Sequence, residues 1–333
     1  MTHPLERYIQ ISNRNLTMKL SKLGTLVAVM SVATMFEFFS VSRSASGVAL
    51  TGLTEGNTLV FFDSATPGST TTRSVTGATL SDALLGIDYR PANGRLYGIT
   101  STGVFEIDPS SGNATRVNTF TSTFNGDTTS GVDFNPAADA LRITGSNGQN
   151  FRIAGGGLGA TNVDSNLAYA AGDRNAGVSP AVTASAYTNN FAGVPAGRTT
   201  QLFSIDSNLD VLLLQATPNN GILTTIGSLG VNVDTIGGFD IFSPSNGVNN
   251  AFAAFAPNGS TAASLYSIDL STGDATSLGQ IGTGAGFNLT GLAAPIEPTA
   301  VPEPSAIPGL IVFGIGTLML KRRKRKSIAV EKQ

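Results

Sequence analysis

Three aspartates occupy one place in a recurring strand: Asp88 in Gly-Ile-Asp-Tyr-Arg-Pro, Asp133 in Gly-Val-Asp-Phe-Asn-Pro and Asp240 in Gly-Phe-Asp-Ile-Phe-Ser-Pro. Carboxylates gathered from separate repeats could ligate a hard cation such as calcium, or act as the acid and base of glycoside cleavage. Their competing role is structural. An Asp beside a turn accepts backbone N–H groups or pairs with Arg, and repetition from copy to copy favours that use. No catalytic residue is therefore assigned; were the chain an enzyme, Asp88, Asp133 and Asp240 would carry the chemistry. Little else is available for it. His3 is the sole histidine, and it lies in a segment expected to be absent from the exported form. A Ser-His-Asp triad, a histidine base and a histidine-rich metal site are excluded there. The absence of cysteine removes disulfides, thiolate chemistry and most zinc sites.

Other polar clusters read more simply. Asp63, Asp108, Asp206 and Asp269 end strands and mostly precede Ser, Thr or Pro and then Gly, the composition of a turn. Gly172-Asp173-Arg174-Asn175-Ala176-Gly177 is a polar loop between repeats, and Asp173, Arg174 and Asn175 are its candidate ligand contacts. Gly155-Gly156-Gly157 lacks the strand-turn-helix setting of a phosphate cradle. No DxDxDG calcium loop is present, so no metal and no cofactor are expected; calcium is the one ion the acids would suit.

The elements that position these residues follow from the stretch Gly86 to Thr115. Asp88 lies in a short strand from Gly86 to Arg90, Pro91-Ala92-Asn93-Gly94 turns the chain, Leu96 to Ile99 returns, and Val104 to Asp108 runs out again to Asp108-Pro109-Ser110-Ser111-Gly112. The opening recurs 45 positions on, from Gly86 to Gly131. Ser264 to Thr276 and Gln201 to Asn208 repeat the later strands. A four-stranded meander cannot bury both faces alone, and a period of this length is that of a propeller blade. The expected fold is all-β: a propeller of about five four-stranded blades, with six as the alternative. One blade is shared between the chain ends, where Val48 to Asp63 would join Phe287 to Ala294. The others are Leu84–Val117, Gly131–Tyr169, about Pro180–Leu229, and Ile236–Ile281, with Val211 to Gln215 read as an extra strand.

Between Gly47 and Val301 there are 18 acidic residues, 8 arginines and no lysine, a charge of −10. Such a body has nothing to offer a phosphate backbone, which argues against nucleic-acid binding. Basic residues collect at the ends. Lys19 and Lys22 precede an apolar stretch from Leu23 to Val41, and Ser44-Ala45-Ser46 offers small residues to signal peptidase, so residues 1–46 read as an extension and signal peptide starting at Met18. Residues 47–294 form the propeller. Residues 295–304 form a Pro-rich linker, 305–320 an apolar transmembrane segment, and 321–333 a cytoplasmic tail opened by Lys321, Arg322, Arg323, Lys324, Arg325 and Lys326.

Val301-Pro302-Glu303-Pro304, the apolar span and the basic cluster together resemble the PEP-CTERM sorting signal of Gram-negative bacteria that make extracellular polysaccharide. The resemblance implies that Pro302, Glu303 and Pro304 are read by an exosortase, which removes the tail and passes the protein outward. The body, with GIDYRP, GVDFNP, LAYAAGDRNAG at Leu167–Gly177 and LTTIGSLG at Leu223–Gly230, resembles the bacterial domain-of-unknown-function family 4394, which brings no activity with it. The expected protein is an exported, non-enzymatic surface or matrix module, anchored transiently or stably in the inner membrane by its C-terminal helix, whose partner is exopolysaccharide or another surface component. The alternative is a secreted carboxylate-dependent glycoside hydrolase or lyase.

Overall fold

The computed structural model describes residues 47–126, 129–257, 260 and 262–296. The signal segment, the Pro302-Glu303-Pro304 motif, the apolar span and the basic tail lie outside the described residues. Among the described residues no helix is long and apolar enough to cross a membrane.

Strands follow one another closely. They are β1 (Ala49–Thr54), β2 (Thr58–Asp63) and β3 (Thr66–Ser74); then β4 (Gly86–Tyr89), β5 (Leu96–Thr100), β6 (Gly103–Ile107) and β7 (Ala114–Thr119). Next come β8 (Ser130–Asn135), β9 (Ala140–Gly145), β10 (Asn150–Ile153) and β11 (Thr161–Val163). After these are β12 (Ala168–Tyr169), β13 (Val182–Tyr187), β14 (Leu202–Asp206), β15 (Val211–Thr217) and β16 (Ile222–Ser228). The chain ends with β17 (Val233–Ser245), β18 (Val248–Pro257), β19 (Ser264–Ile268), β20 (Ala275–Gln280) and β21 (Leu289–Ala293). They form five sheets, ordered β21-β1-β2-β3, β4 to β7, β8 to β11, β13 to β16 with β12 added, and β17 to β20. The architecture is a five-bladed propeller, which rules out six blades.

The turns are those the residues demand. Gly94, at φ +67, donates its N–H to the Arg90 carbonyl at 2.8 Å after Pro91. Asp108 and Asp269 each accept the N–H two residues on, from Ser110 and Ser271, while Gly112 and Gly273 close the turn in the left-handed region. Ring closure is also as expected: β1 pairs antiparallel with β21, setting Thr51 opposite Ala293 and Gly52 opposite Leu292. The last strand thereby becomes the innermost strand of the first blade, and no inner edge is left open.

Blade four corrects the sequence reading twice. Val211–Gln215 is no extra strand; it belongs to β15, the regular third strand, because the opening strand is β13 and the residues between it and β14 form a long connection. Tyr169 does not end blade three, whose fourth strand is β11. It lies in β12, which pairs parallel with β16 at the outer edge of blade four.

Neighbouring blades bury apolar faces against each other. Leu53, Ile87 and Phe105 join blades one and two; Tyr97, Phe134 and Phe151 join two and three. Phe203, Ile241 and Phe255 join four and five, and Leu50, Leu265 and Leu292 join five and one. Among the described residues no such cluster joins blades three and four; Leu167, Val182 and Leu213 stay within blade four. That interface is crossed instead by Arg142, Asn150 and a hydroxyl chain, Thr144–Ser185–Ser204, with both oxygen pairs at 2.8 Å.

Inner strands approach so closely that a side chain is excluded at the glycine of the Gly-x-Asp signature. A Cβ on Gly86 would sit 2.5 Å from Val132 Cγ2 in the next blade. Gly86→Ala should therefore lower unfolding free energy by about 1–3 kcal/mol. Gly172, with nothing within 4 Å of its Cβ position, serves as control: Gly172→Ala should be neutral or stabilising by up to about 1 kcal/mol. Urea denaturation of both variants checks this, and equal stability of the two would contradict the packing argument.

Candidate functional site

β4, β8 and β17 are the inner strands of blades two, three and five, and they bring Asp88, Asp133 and Asp240 together. One carboxylate oxygen from each lies within 4.8 Å of the others, and the residues are 1%, 0% and 1% exposed. Two of the acids perform the structural role. Asp88 accepts the N–H of Tyr89 at 2.6 Å and, across the blade boundary, the N–H of Phe134 at 2.7 Å. Asp240 does the same with Ile241 and with Ala294, just past β21, each at 2.6 Å. Asp133 differs. Neither of its oxygens has a hydrogen-bond partner within bonding distance and angle, although the Tyr187 N–H and the Asp240 carboxylate are near enough to act on its proton.

Burial is the chief influence on all three. It pushes Asp88 well above the usual carboxylate range, reinforced by the Asp240 charge and opposed by the Phe134 and Tyr89 N–H groups. Asp133 is raised well above that range by burial and then by the Asp88 and Asp240 charges. Asp240 is pushed up to about 6 by burial, with the Ala294 and Ile241 N–H groups holding it down.

The corresponding place in the other two blades is held by Ala186 on β13 and Ala293 on β21, both fully buried. The residues paired in register with this place are Thr51, Tyr97, Phe203 and Phe252, and, opposite Asp133, Arg142. Arg142 is the one charged residue of the five. It makes no ion pair with Asp133: its Nη1 donates to Asn150 at 2.7 Å and to Asp164 at 2.8 Å, and its Nη2 to Asn219 at 2.6 Å. Its Nε is buried without a partner.

Arg142 forms part of an open cleft of about 560 Å³ at the blade three/four boundary, together with Asn135, Arg152, Tyr187, Thr217 and Asn219. Arg152 shares Asp164 with Arg142, binding it through Nε at 3.0 Å and Nη2 at 3.1 Å. Two guanidinium groups against one carboxylate leave the cleft floor one positive charge in excess. The sequence reading missed both arginines, because a lone Arg in Ala-Leu-Arg-Ile-Thr looks like the solvent-facing side of an alternating strand. The signal that could have found Arg142 is its register opposite Asp133.

The remaining sequence candidates are occupied. Asp173 accepts the N–H and Oγ1–H of Thr225 at 2.6 and 2.8 Å and the N–H of Asn175 at 2.9 Å, while Asn175 donates to Thr225 Oγ1 at 3.0 Å. Arg174 donates to the Ile226 carbonyl at 3.1 Å. The Asp173-Arg174-Asn175 loop is thus stitched to β16. Asp206 caps its turn and also accepts the Tyr169 hydroxyl at 2.6 Å, tying β12 to the blade. A second cleft, of about 360 Å³, holds Glu106 and Asp108. Glu106 is paired with Arg95 at 2.7 Å, and Ser111 and Ser110 hold Asp108 down to about 2, so Asp108 carries no proton to donate at neutral pH.

Stability should carry the sign of the buried acids. Asp240 binds its proton more tightly folded, at about 6, than in the unfolded chain, near 3.8. Its contribution is fully present below about pH 4 and is lost as pH rises through about 6, a change on the order of 3 kcal/mol. In chelator-treated protein, urea midpoints should fall between pH 4 and 7, and Asp240→Asn should flatten that fall. A wild-type slope no steeper than that of the variant would contradict the assignment.

No curated protein matches the sequence. Among solved structures, a chain of the nidogen/laminin complex is 9% identical with a TM-score of 0.42, the match covering 76% of this chain and 87% of that one. An auxiliary nutrient binding protein from Bacteroides ovatus is 12% identical with a TM-score of 0.37, covering 61% of this chain and 52% of its own. A corresponding protein from Bacteroides thetaiotaomicron is 12% identical with a TM-score of 0.39, covering 63% and 54%. The family model described as Domain of unknown function (DUF4394) matches residues 58–293, from β2 to the end of β21, and the chain belongs to that family.

Proposed function

We propose that the chain is an exported, non-enzymatic propeller of the cell envelope or extracellular matrix, whose cleft between blades three and four takes an acidic saccharide unit of exopolysaccharide. The observation that carries this reading is the buried Arg142. With the half-buried Arg152 it lines an open cleft of about 560 Å³, a size suited to a small polar ligand. The pair shares a single carboxylate, Asp164, so a uronate carboxylate reaching the more exposed Arg152 would supply the second negative charge. Asn135, Tyr187 and Asn219 add groups suited to sugar hydroxyls.

Export and sorting belong to the same proposal. Signal peptidase would act at Ser44-Ala45-Ser46, and an exosortase would read Pro302-Glu303-Pro304 ahead of the apolar span and the basic cluster. The non-enzymatic reading is supported by the burial of Asp88, Asp133 and Asp240, which keeps a polymer from reaching them, and by the lack of any carboxylate among the residues lining the blade three/four cleft.

Calorimetric titration with uronate-containing and neutral oligosaccharides tests the ligand class. Arg152→Gln, at the more exposed arginine, should weaken uronate binding roughly 10-fold or more while leaving any binding of neutral sugars unchanged, with a modest fall in the unfolding midpoint from the lost bonds to Asp164. Equal binding of neutral and acidic sugars, or no loss in the variant, would overturn the cleft assignment. Release of new reducing ends from the polymer would favour a hydrolase or lyase instead. Mass spectrometry of the exported protein should find both termini trimmed; intact ends would contradict the sorting proposal.

A further inference from the structure

The geometry points to a buried calcium site formed by Asp88, Asp133 and Asp240 where the inner strands of three blades converge. The inference is independent of the saccharide cleft. It starts from Asp133, which is fully buried, faces the other two acids and has no hydrogen-bond partner on either oxygen. Such a group is strongly unfavourable in a protein interior unless something else satisfies it.

The fold does not require an acid here. Ala186 and Ala293 stand at the same place in blades four and one, and those inner strands pack without a carboxylate. No protein cation compensates either. Arg142, opposite Asp133 in register, spends its Nη groups on Asn150, Asp164 and Asn219, and the exported body has no lysine.

The spacing suits calcium. Oxygens within 4.8 Å of one another can share an ion at bond lengths of about 2.3–2.6 Å, whereas magnesium needs a tighter octahedron and retains waters. Backbone N–H groups already orient two of the ligands. Asp88 and Asp240 are fixed by Phe134 and Ala294 from neighbouring blades, and a carboxylate oxygen that accepts one N–H still has a lone pair for a metal. Asp133, with both oxygens free, would add up to two more, and waters would complete the six to eight oxygens that calcium takes. One ion would then link blades two, three and five, and through Ala294 it would reach the strand that closes the ring.

The full chain, stripped with EDTA and refolded with calcium or magnesium, tests this by elemental analysis and thermal denaturation. Wild type should retain about one calcium per chain, and its midpoint should rise by roughly 5 °C when calcium is about 100 times the dissociation constant; magnesium should do far less. Asp133→Ala, which copies the residue of blades one and four, should fold and lose the calcium response. Asp133→Asn, of unchanged shape, gives the same reading if the alanine variant fails to fold. Wild type without bound calcium or a calcium-dependent shift, or an Asp133→Asn variant that keeps the full response, would overturn the site and leave the three acids sharing protons.

Discussion

Everything in this ring depends on how closely each inner strand can approach the next. Gly86 lies against Val132, and Gly238, at φ +138, lies against Leu292; at these contacts the main chains meet with almost no side chain between them. Backbone N–H groups that face a neighbouring blade need acceptors from that neighbour. Asp88 supplies one for Phe134, and Asp240 supplies one for Ala294. The second bond joins blade five to the residue after the closing strand. The pairing of β1 with β21 is therefore supported from inside the ring as well as along its own ladder.

Asp133 breaks the pattern, and it does so beside the blade boundary that, among the described residues, has no shared apolar cluster. Blades three and four meet through Arg142, Asn150 and the Thr144–Ser185–Ser204 hydroxyls instead of the leucines and phenylalanines found elsewhere. A polar boundary contributes less to stability than an apolar one of equal area, because its hydrogen bonds replace bonds to water. What it presents instead is an open cleft lined by two arginines on one side and an unsatisfied carboxylate on the other.

Much of this was legible beforehand. The Gly-x-Asp strands, the Asp-x-Ser turns, the shared blade and the count of five follow from residues whose backbone demands are local. Blade four was misread because Ala184-Ser185-Ala186 has lost both the glycine and the acid of the signature, and because its opening hairpin is joined by a long connection. The convergence of Asp88, Asp133 and Asp240 could be anticipated from their common place in the repeat. That two would be bonded and one left over could not, since it depends on which N–H the neighbouring strand presents. The Asp173-Arg174-Asn175 loop shows the same limit: its composition does not reveal that it is tied to Thr225 of its own blade.

The central claim is that the converging inner strands hold more carboxylate than the blades themselves use. Long-wavelength diffraction from crystals of the full chain grown with calcium tests it most directly. The account predicts one anomalous peak within about 2.3–2.6 Å of an oxygen from each of the three aspartates. A map without that peak, in which Asp133 accepts a backbone N–H as its two counterparts do, would contradict it.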